Sequence, residues 1–194
     1  VGSEMCIRDS QLMDIRKIDK GQMTLIFKKA EIVSFTRNLL ETFEQQTRIK
    51  KLDLKFHTSA PEIEMWIDPK NFDKIILNLL SNACKFTPEN GQVEISLNTG
   101  EDTSLPPNAP LRRYVELTVT DSGIGIASTE REHIFERFYQ IRNSQNNSNV
   151  GTGIGLHLTR SLVELHHGNI HVADNGEGKP GSRFIIPVSY THLT

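Results

Sequence analysis

Residues 68–87, DPKNFDKIILNLLSNACKFT, constrain the fold more than any other segment. Asp68 followed by Pro69 is typical of a helix start, because aspartate caps the first backbone N–H groups and proline is tolerated at the first helical position. Apolar residues then recur at helical spacing, which predicts one buried stripe. The stripe consists of Ile75, Ile76, Leu79, Leu80 and Ala83. We therefore expect a long helix packed on a core.

The same helix carries a second, polar pattern. Asn78, Asn82 and Lys85 stand at i, i+4 and i+7, which is one line down one face of a helix. Carboxamide oxygens can bind a hard cation such as Mg²⁺, and an ammonium group can contact phosphate. A simple solvated face is the alternative, and this helix alone does not decide between them.

Composition excludes several classes of protein. With 194 residues, 24% charged and 37% apolar, the chain has the profile of a globular domain. Lys plus Arg (22) nearly balances Asp plus Glu (24), so charge gives no support for nucleic-acid binding. No apolar run approaches the roughly 20 residues that span a bilayer. Two cysteines, Cys6 and Cys84, are too few for a disulfide framework, which favours a reducing compartment.

The two ends of the chain look foreign to the rest. Residues 1–10 and 189–194 resemble translated linker sequence, and we expect them to be non-native or, at the start, disordered. Residues 11–21 have the pattern of a helix tail ended by glycine. Residues 22–188 are then expected to form one domain of a longer protein.

The middle of the chain alternates helical and strand patterns. We predict a helix over 31–48, and strands around 23–27, 52–56, 63–67, 93–97, 114–119, 169–173 and 183–186. This mixture predicts an α/β two-layer sandwich, in which one mixed sheet is covered on one face by helices. Residues 142–150, RNSQNNSNV, have no period, so we expect 127–150 to form a mobile lid.

Two glycine-containing segments follow predicted strand or loop ends. In DSGIG (121–125), Asp121 can accept a hydrogen bond from an exocyclic amine such as that of adenine, although an Asx turn would use the same residue. GTGIG (151–155) precedes a helix, where exposed N–H groups can cradle phosphate, although a flexible hinge would look similar. Neither segment is a Rossmann fingerprint or a P-loop. Together with the polar face of the 68–87 helix, these two glycine segments favour a nucleotide-binding site.

Four motifs in order resemble one known family. NLLSNACKFTPENG, DSGIGI, IFERFYQ and GTGIGL are similar to the N box, first glycine box, F box and second glycine box of the ATP-binding catalytic domain of sensor histidine kinases. This superfamily also holds gyrase, Hsp90 and MutL. LMDIRKIDKGQMTL resembles the end of the second helix of the dimerisation hairpin, in the style of hybrid sensors. The likeness covers residues 11–187, and it implies a Bergerat-type ATP-binding fold.

The resemblance implies a set of site residues for ATP and Mg²⁺. Asn82 would ligate Mg²⁺, Asn78 would support phosphate or metal, and Lys85 would contact phosphate, so these three form the predicted catalytic set. The remaining nucleotide-binding residues would be Phe86, Asp121, Gly123, Gly125, Ile126, Gly151, Thr152, Gly153, Gly155 and Leu156. Phe86 could equally be core, and so could Phe135 and Phe138, which would otherwise anchor the lid.

One position distinguishes branches of the superfamily. Hydrolysing members carry a glutamate four residues before the metal-binding asparagine, where this chain has Asn78. A carboxamide cannot take a proton from water at neutral pH, which favours phosphoryl transfer over hydrolysis. A gyrase- or MutL-type ATPase and a non-catalytic ATP-binding pseudokinase are the alternatives.

By this interpretation, the acceptor histidine is not one of the histidines of this sequence, and the site acts together with partner domains. None of the seven histidines has the phosphoacceptor context, and His166 and His167 are better explained as a helix C-terminal cap than as a metal site. The resemblance implies that the acceptor belongs to the chain's own hairpin, usually in a homodimer. It also implies a response regulator receiver domain as partner and a cytoplasmic catalytic domain, whose parent protein is either free or anchored in the inner membrane. The charge balance predicts no nucleic-acid partner.

Overall fold

The computed structural model describes residues 2–141, 151–176 and 178–190. In chain order the elements are α1 (Gly2–Asp19), β1 (Lys28–Glu31), α2 (Ile32–Glu41), α3 (Glu44–Ile49), β2 (Asp53–Thr58), β3 (Glu64–Ile67), α4 (Pro69–Phe86), β4 (Gln92–Glu101), β5 (Arg113–Asp121), a 3₁₀ turn (His133–Phe135), α5 (Gly155–Leu165), β6 (His171–Asp174) and β7 (Ser182–Ser189). The predicted mobile run 142–150 lies outside the described residues.

Five strands form one mixed sheet in the order β2-β4-β5-β7-β6. Strand β2 runs parallel to β4, and the other neighbours are antiparallel. Strands β1 and β3 form a separate antiparallel pair. The predicted mixed sheet is confirmed.

Helix α4 anchors the core, as its apolar stripe predicted. All five stripe residues and Phe72 are buried, and so is Cys84. Alternate residues of β4, namely Val93, Ile95 and Leu97, are fully buried, which places the helices on one face of the sheet. The predicted two-layer α/β sandwich is confirmed.

Two predictions of local structure are wrong. Residues 23–27 are irregular, because the Ile26 N–H donates to the Asp68 carboxylate (2.8 Å) rather than to a strand, and the pairing starts only at Lys28. The helix predicted over 31–48 is interrupted. Helix α2 ends at Glu41, and the Thr42 hydroxyl donates to the Leu39 carbonyl (2.6 Å), a local bond that closes this helix end.

Helix α1 packs against the domain. Ile15 is buried, the Lys74 ammonium lies 2.6 Å from the Asp14 carboxylate, and Arg137 donates two bonds of 2.8 Å to Asp19. The helix begins at Gly2, so it includes part of the segment set aside as foreign; whether 1–10 and 189–194 are native stays a prediction. In the part of the chain that the structure describes, no helix is long and apolar enough to cross a membrane.

Candidate nucleotide-binding site

A cleft of about 880 Å³ opens between the second half of α4, the loop after β5 and the start of α5. The elements that line it come from distant parts of the chain, and they bring together nearly all of the sequence-predicted site residues. These are Asn78, Asn82, Lys85, Phe86, Asp121, Gly125, Ile126, Gly151, Thr152, Gly153, Gly155 and Leu156. Gly123 alone among the predicted residues does not line the cleft.

The two asparagines of α4 differ in their contacts. Asn78 donates to the Gly155 carbonyl (3.4 Å) and the Thr159 hydroxyl (3.3 Å), and its oxygen accepts from Gln11 (3.1 Å). The Asn82 carboxamide has no hydrogen-bond partner among the described residues, although it lines the cleft. Asn82 therefore has a carboxamide oxygen available for a cation, whereas Asn78 fixes the start of α5 against α4.

Lys85 and Phe86 form the end of α4, and Lys85 lies against the second glycine segment, residues 151–155. A Cβ placed on Gly151 would lie 3.2 Å from the Lys85 ammonium nitrogen, so lysine and glycine segment meet directly. The same nitrogen lies 5.2 Å from the centre of the Phe86 ring. Phe86 is 41% exposed and lines the cleft, which contradicts the core alternative.

Asp121 lies at the end of β5 and is only 5% exposed. One carboxylate oxygen accepts from the Gly123 N–H (2.8 Å) and the other from the Ser182 hydroxyl (2.7 Å). The Asx turn that the sequence allowed is therefore present, and it does not exclude a binding role. An ionised carboxylate has about four acceptor positions, so acceptor capacity remains for an amine in the cleft.

Two glycines are required by close approach. A Cβ on Gly123 would lie 2.5 Å from the Phe86 carbonyl oxygen, so the loop after β5 rests directly on the end of α4. Gly153 has a φ of +69°, and a Cβ there would lie 2.7 Å from the Phe138 backbone. Any larger residue at either position would displace a wall of the cleft.

Helix α5 begins at Gly155 with its N-terminal end on the cleft. The preceding residue, Ile154, gives no side-chain cap to the helix. Over eleven residues the backbone dipoles align, so the first turn offers unpaired N–H groups and partial positive charge. Such an end suits phosphate.

The two phenylalanines of the F-box-like motif have different environments. Phe135 is 3% exposed, packs edge-on against Phe184 (6.3 Å) and lies under the Arg160 guanidinium, so it is a core residue. The Phe138 side chain is 62% exposed, and its backbone N–H donates to the Gly153 carbonyl (2.9 Å). Phe138 therefore contacts the glycine segment through its main chain, and the core alternative is wrong for it.

His166 ends α5 as a buried, neutral ring. Its Nδ1–H donates to the Leu162 carbonyl (2.7 Å), and its Nε2 accepts from the Asp68 N–H (3.2 Å). Burial lowers the pKa of His166, so the predicted cap is a hydrogen-bonding one rather than a cation. Within the described residues, no group of three or more His, Cys, Asp or Glu side chains is placed to hold a metal ion.

Sequence reasoning missed several residues that line the cleft. They include Gln11, Gln46, Lys50, Tyr139, Gln140, Ile141, Ser182 and Phe184. Ser182 reaches the site because it pairs with Asp121 across β5 and β7. Lys50 arrives from the end of α3. Neither has a local sequence signal, since each depends on a partner far along the chain.

The family model described as histidine kinase-, DNA gyrase B-, and HSP90-like ATPase matches residues 67–191. The chain belongs to this family. Its matched region holds all of the sequence-predicted site residues and excludes α1 to α3.

Proteins similar to this ATPase domain include sensor histidine kinases. Sensor histidine kinase TmoS of Ectopseudomonas mendocina is 36% identical over 163 residues, which cover 84% of this chain and 16% of that protein. The catalytic domain of histidine kinase ThkA has a TM-score of 0.70 at 25% identity, and the match covers 86% of this chain and 97% of that domain. The chain therefore spans about a sixth of the length of its relative TmoS and nearly the whole of one solved catalytic domain.

A second solved structure includes a partner. Histidine kinase ThkA in complex with response regulator protein TrrA has a TM-score of 0.70 at 22% identity, and the match covers 96% of this chain and 49% of that chain. At this identity the likeness concerns the fold of the ATPase domain.

Proposed function

We propose that this chain is the ATP-binding catalytic module of a sensor histidine kinase, which transfers the γ-phosphoryl group of Mg-ATP to a histidine on a dimerisation hairpin. Membership of the ATPase family supports nucleotide use, and the relatives favour the kinase branch. The hairpin histidine lies outside this chain in the proposal, and residues 11–21, which include the second half of α1, are the end of the hairpin's second helix.

The observation that carries the proposal is the lack of a base for water. Among the described residues that line the cleft, Asp121 is the only carboxylate, and in the proposal its remaining acceptor capacity is used by the adenine amine rather than by water. The position four residues before Asn82 is occupied by Asn78, whose carboxamide is engaged by protein partners. A site without a general base hydrolyses slowly and leaves the phosphoryl group for another nucleophile.

Phosphoryl transfer needs mainly positioning and charge neutralisation from the protein. The Asn82 oxygen would hold Mg²⁺, which supplies positive charge against the phosphate oxygens; since Mg²⁺ retains waters and substrate oxygens as ligands, one carboxamide suffices from the protein. Lys85 and the first turn of α5 would hold the phosphates, and Asp121 would accept from the adenine amine. These groups surround one cleft, so they can act on one nucleotide.

The partners follow from the same proposal. The hairpin would come from a homodimer, and the phosphohistidine would pass its phosphoryl group to the receiver domain of a response regulator. The complex of ThkA with TrrA supports this partner class. We place the module in the cytoplasm, where ATP and receiver domains are available.

The decisive experiment is phosphotransfer in trans. The chain is incubated with γ-labelled ATP, Mg²⁺ and a separately prepared, unphosphorylated dimeric hairpin. The hairpin is taken from a histidine kinase whose own catalytic domain is able to phosphorylate it. Acid-labile, base-stable label on the hairpin is expected. A hairpin with its acceptor histidine changed to glutamine is the control and should stay unlabelled.

Each other outcome identifies a different function. Steady phosphate release without label on the hairpin would favour the ATPase alternative. Tight ATP binding with neither label nor release, across several competent hairpins, would contradict the kinase proposal and favour a non-catalytic binding module.

A further inference from the structure

Lys50 makes a contact that the proposed chemistry does not use. It is the C-terminal cap residue of α3, yet its side chain crosses to the far end of α4. There the ammonium nitrogen donates to the carbonyl oxygens of Cys84 (2.7 Å), Lys85 (3.1 Å) and Thr87 (2.8 Å). A lysine has three N–H donors, and all three are used.

These carbonyls are the ones that a helix end leaves without partners. The last four C=O groups of a helix have no intrahelical N–H, and they carry its partial negative charge. Thr87 satisfies the Ala83 carbonyl through its N–H (3.0 Å) and its hydroxyl (2.6 Å). Lys50 satisfies the next two with charge-assisted bonds, which are stronger than neutral ones.

The main chain around Lys50 is fixed independently of α4. The Lys50 N–H donates to Gln46 (3.3 Å), and the next strand, β2, is paired to β4 in the sheet. The Lys50 carbonyl accepts from Asn90 (3.3 Å), which follows α4. The ammonium group therefore connects the end of α4 to the edge of the sheet.

The end of α4 positions two walls of the cleft. Lys85 and Phe86 lie in its last turn, and the Phe86 carbonyl is the atom against which Gly123 packs. Any displacement of this turn would move the phosphate-side lysine and the adenine-side loop together. Lys50 also places a positive charge against carbonyls that would otherwise repel a polyphosphate.

We propose that Lys50 is a positioning residue for the nucleotide site: it holds the last turn of α4 so that Lys85 and Phe86 face the ligand, and it does not contact the ligand itself. This inference rests on the proposed function. It adds to the site a residue from α3, outside the segment matched by the family model.

The first test measures ATP affinity in the full chain at a temperature well below each variant's Tm. Lys50→Met should weaken Mg-ATP binding about tenfold, or about 1.4 kcal/mol, because the last turn of α4 then loses its charge-assisted contacts with the ammonium group. Lys50→Arg should recover affinity to within about threefold of the parent, because it keeps a donor-rich cation. Lys55→Met, which removes an exposed lysine paired with Asp53 (3.2 Å), is the matched control and should bind like the parent.

A mutant cycle separates positioning from direct contact. If Lys50 acts through Lys85 and Phe86, Lys50→Met should cost less than about twofold in a background that carries both Lys85→Met and Phe86→Ala. Independent, additive losses would mean that Lys50 contacts the phosphates and would overturn the proposal. Unchanged affinity of Lys50→Met would overturn it too, leaving a contact that serves only stability.

Hydrogen exchange without nucleotide gives a readout that does not depend on ATP. Lys50→Met should accelerate amide exchange at residues 84–87, and Lys50→Arg should restore protection. If the parent fails to bind ATP, the proposed function fails, and exchange still decides the role of Lys50. Unchanged protection in Lys50→Met would overturn the positioning role.

Discussion

The two ends of α4 are held in opposite ways. At its start, Asp68 is 5% exposed, and its carboxylate accepts from Asn71 (3.2 Å) and Ile26 (2.8 Å), while its N–H donates to buried His166. The carboxylate, N–H and carbonyl of Asp68 are therefore all bonded to other groups of the protein. At the other end, Lys50 satisfies the backbone carbonyls from behind.

The difference shows how one helix serves two purposes. At the start of α4 the Asp68 groups are bonded within the protein, so they contribute to the stability of the fold. In the last turn the carbonyls of Cys84 and Lys85 are satisfied by the side chain of Lys50. The carboxamide of Asn82, one turn earlier, has no hydrogen-bond partner among the described residues and lines the cleft. We expect substitutions at the two ends to separate binding from stability.

The largest expected effect on ATP binding is in the second half of α4, where Asn82 lines the cleft. Asn82→Ala should weaken Mg-ATP binding at least about 100-fold, or about 3 kcal/mol, because it removes the protein's oxygen ligand for Mg²⁺. Its Tm should stay close to the parent's, since the side chain has no partner among the described residues. Calorimetric titration and thermal melting measure both quantities. Asn38→Ala, on exposed α2 surface, is the control, and phosphotransfer by Asn82→Ala at the parental rate would contradict the assignment.

A substitution at the start of α4 should show the reverse, a loss of stability without a loss of ATP affinity. Asp68→Ala removes the cap of α4 and leaves the Ile26 N–H without its acceptor, so it should cost about 2 kcal/mol of unfolding free energy. ATP affinity, measured where the variant is fully folded, should remain within about twofold of the parent's. Urea unfolding gives the stability. A loss of affinity as large as that of Asn82→Ala would show that the two ends are not separable.

Asp121 lines the same cleft as Asn82, and its substitution tests the adenine end of the proposed site. Asp121→Asn should keep the Gly123 bond but replace one acceptor oxygen by a donor NH₂ group. The preference for ATP over GTP should fall about tenfold, or about 1.4 kcal/mol. Competition binding measures this ratio. An unchanged ratio would refute the adenine-contacting role, whatever the overall affinity.

The smallest expected effect is a pH dependence of stability that comes from His166, whose ring is bonded to the start of α4. Burial lowers the pKa of His166 below 6.5, so the unfolded chain binds a proton at a pH where the folded chain does not. Stability should therefore be lost as the pH falls below about 6.5, at no more than about 1.4 kcal/mol per pH unit for one proton. Tm measured from pH 7.5 to pH 5 checks this.

A matched pair of variants assigns the pH effect. His166→Gln should lower the Tm at neutral pH and flatten its decline, because the titrating group is gone. His171→Gln, at an exposed position of β6, should keep the parental decline. An equal decline in His166→Gln would attribute the effect to other groups.

Some errors of prediction arise where a local pattern meets a distant partner. The apolar residues near 23–27 suggested a strand, but the Ile26 N–H is bound by the Asp68 carboxylate. The Phe135 and Phe138 rings looked equivalent in the motif, yet only Phe135 finds a pocket, against Phe184. Neither outcome follows from spacing, because burial depends on what the fold brings nearby.

The sequence by itself determined the elements with local causes: α4 and its cap, the buried stripe, the two glycine segments, and a carboxamide, Asn78, four residues before Asn82. Periodicity, capping and turn chemistry act over a few residues, so they can be recognised without a structure. Only the tertiary structure decided that β2 joins β4 in parallel, that Ser182 holds Asp121, and that Lys50 closes α4. These contacts join residues 30 or more positions apart in the chain, and pairings over such distances are settled by the packing of the whole domain.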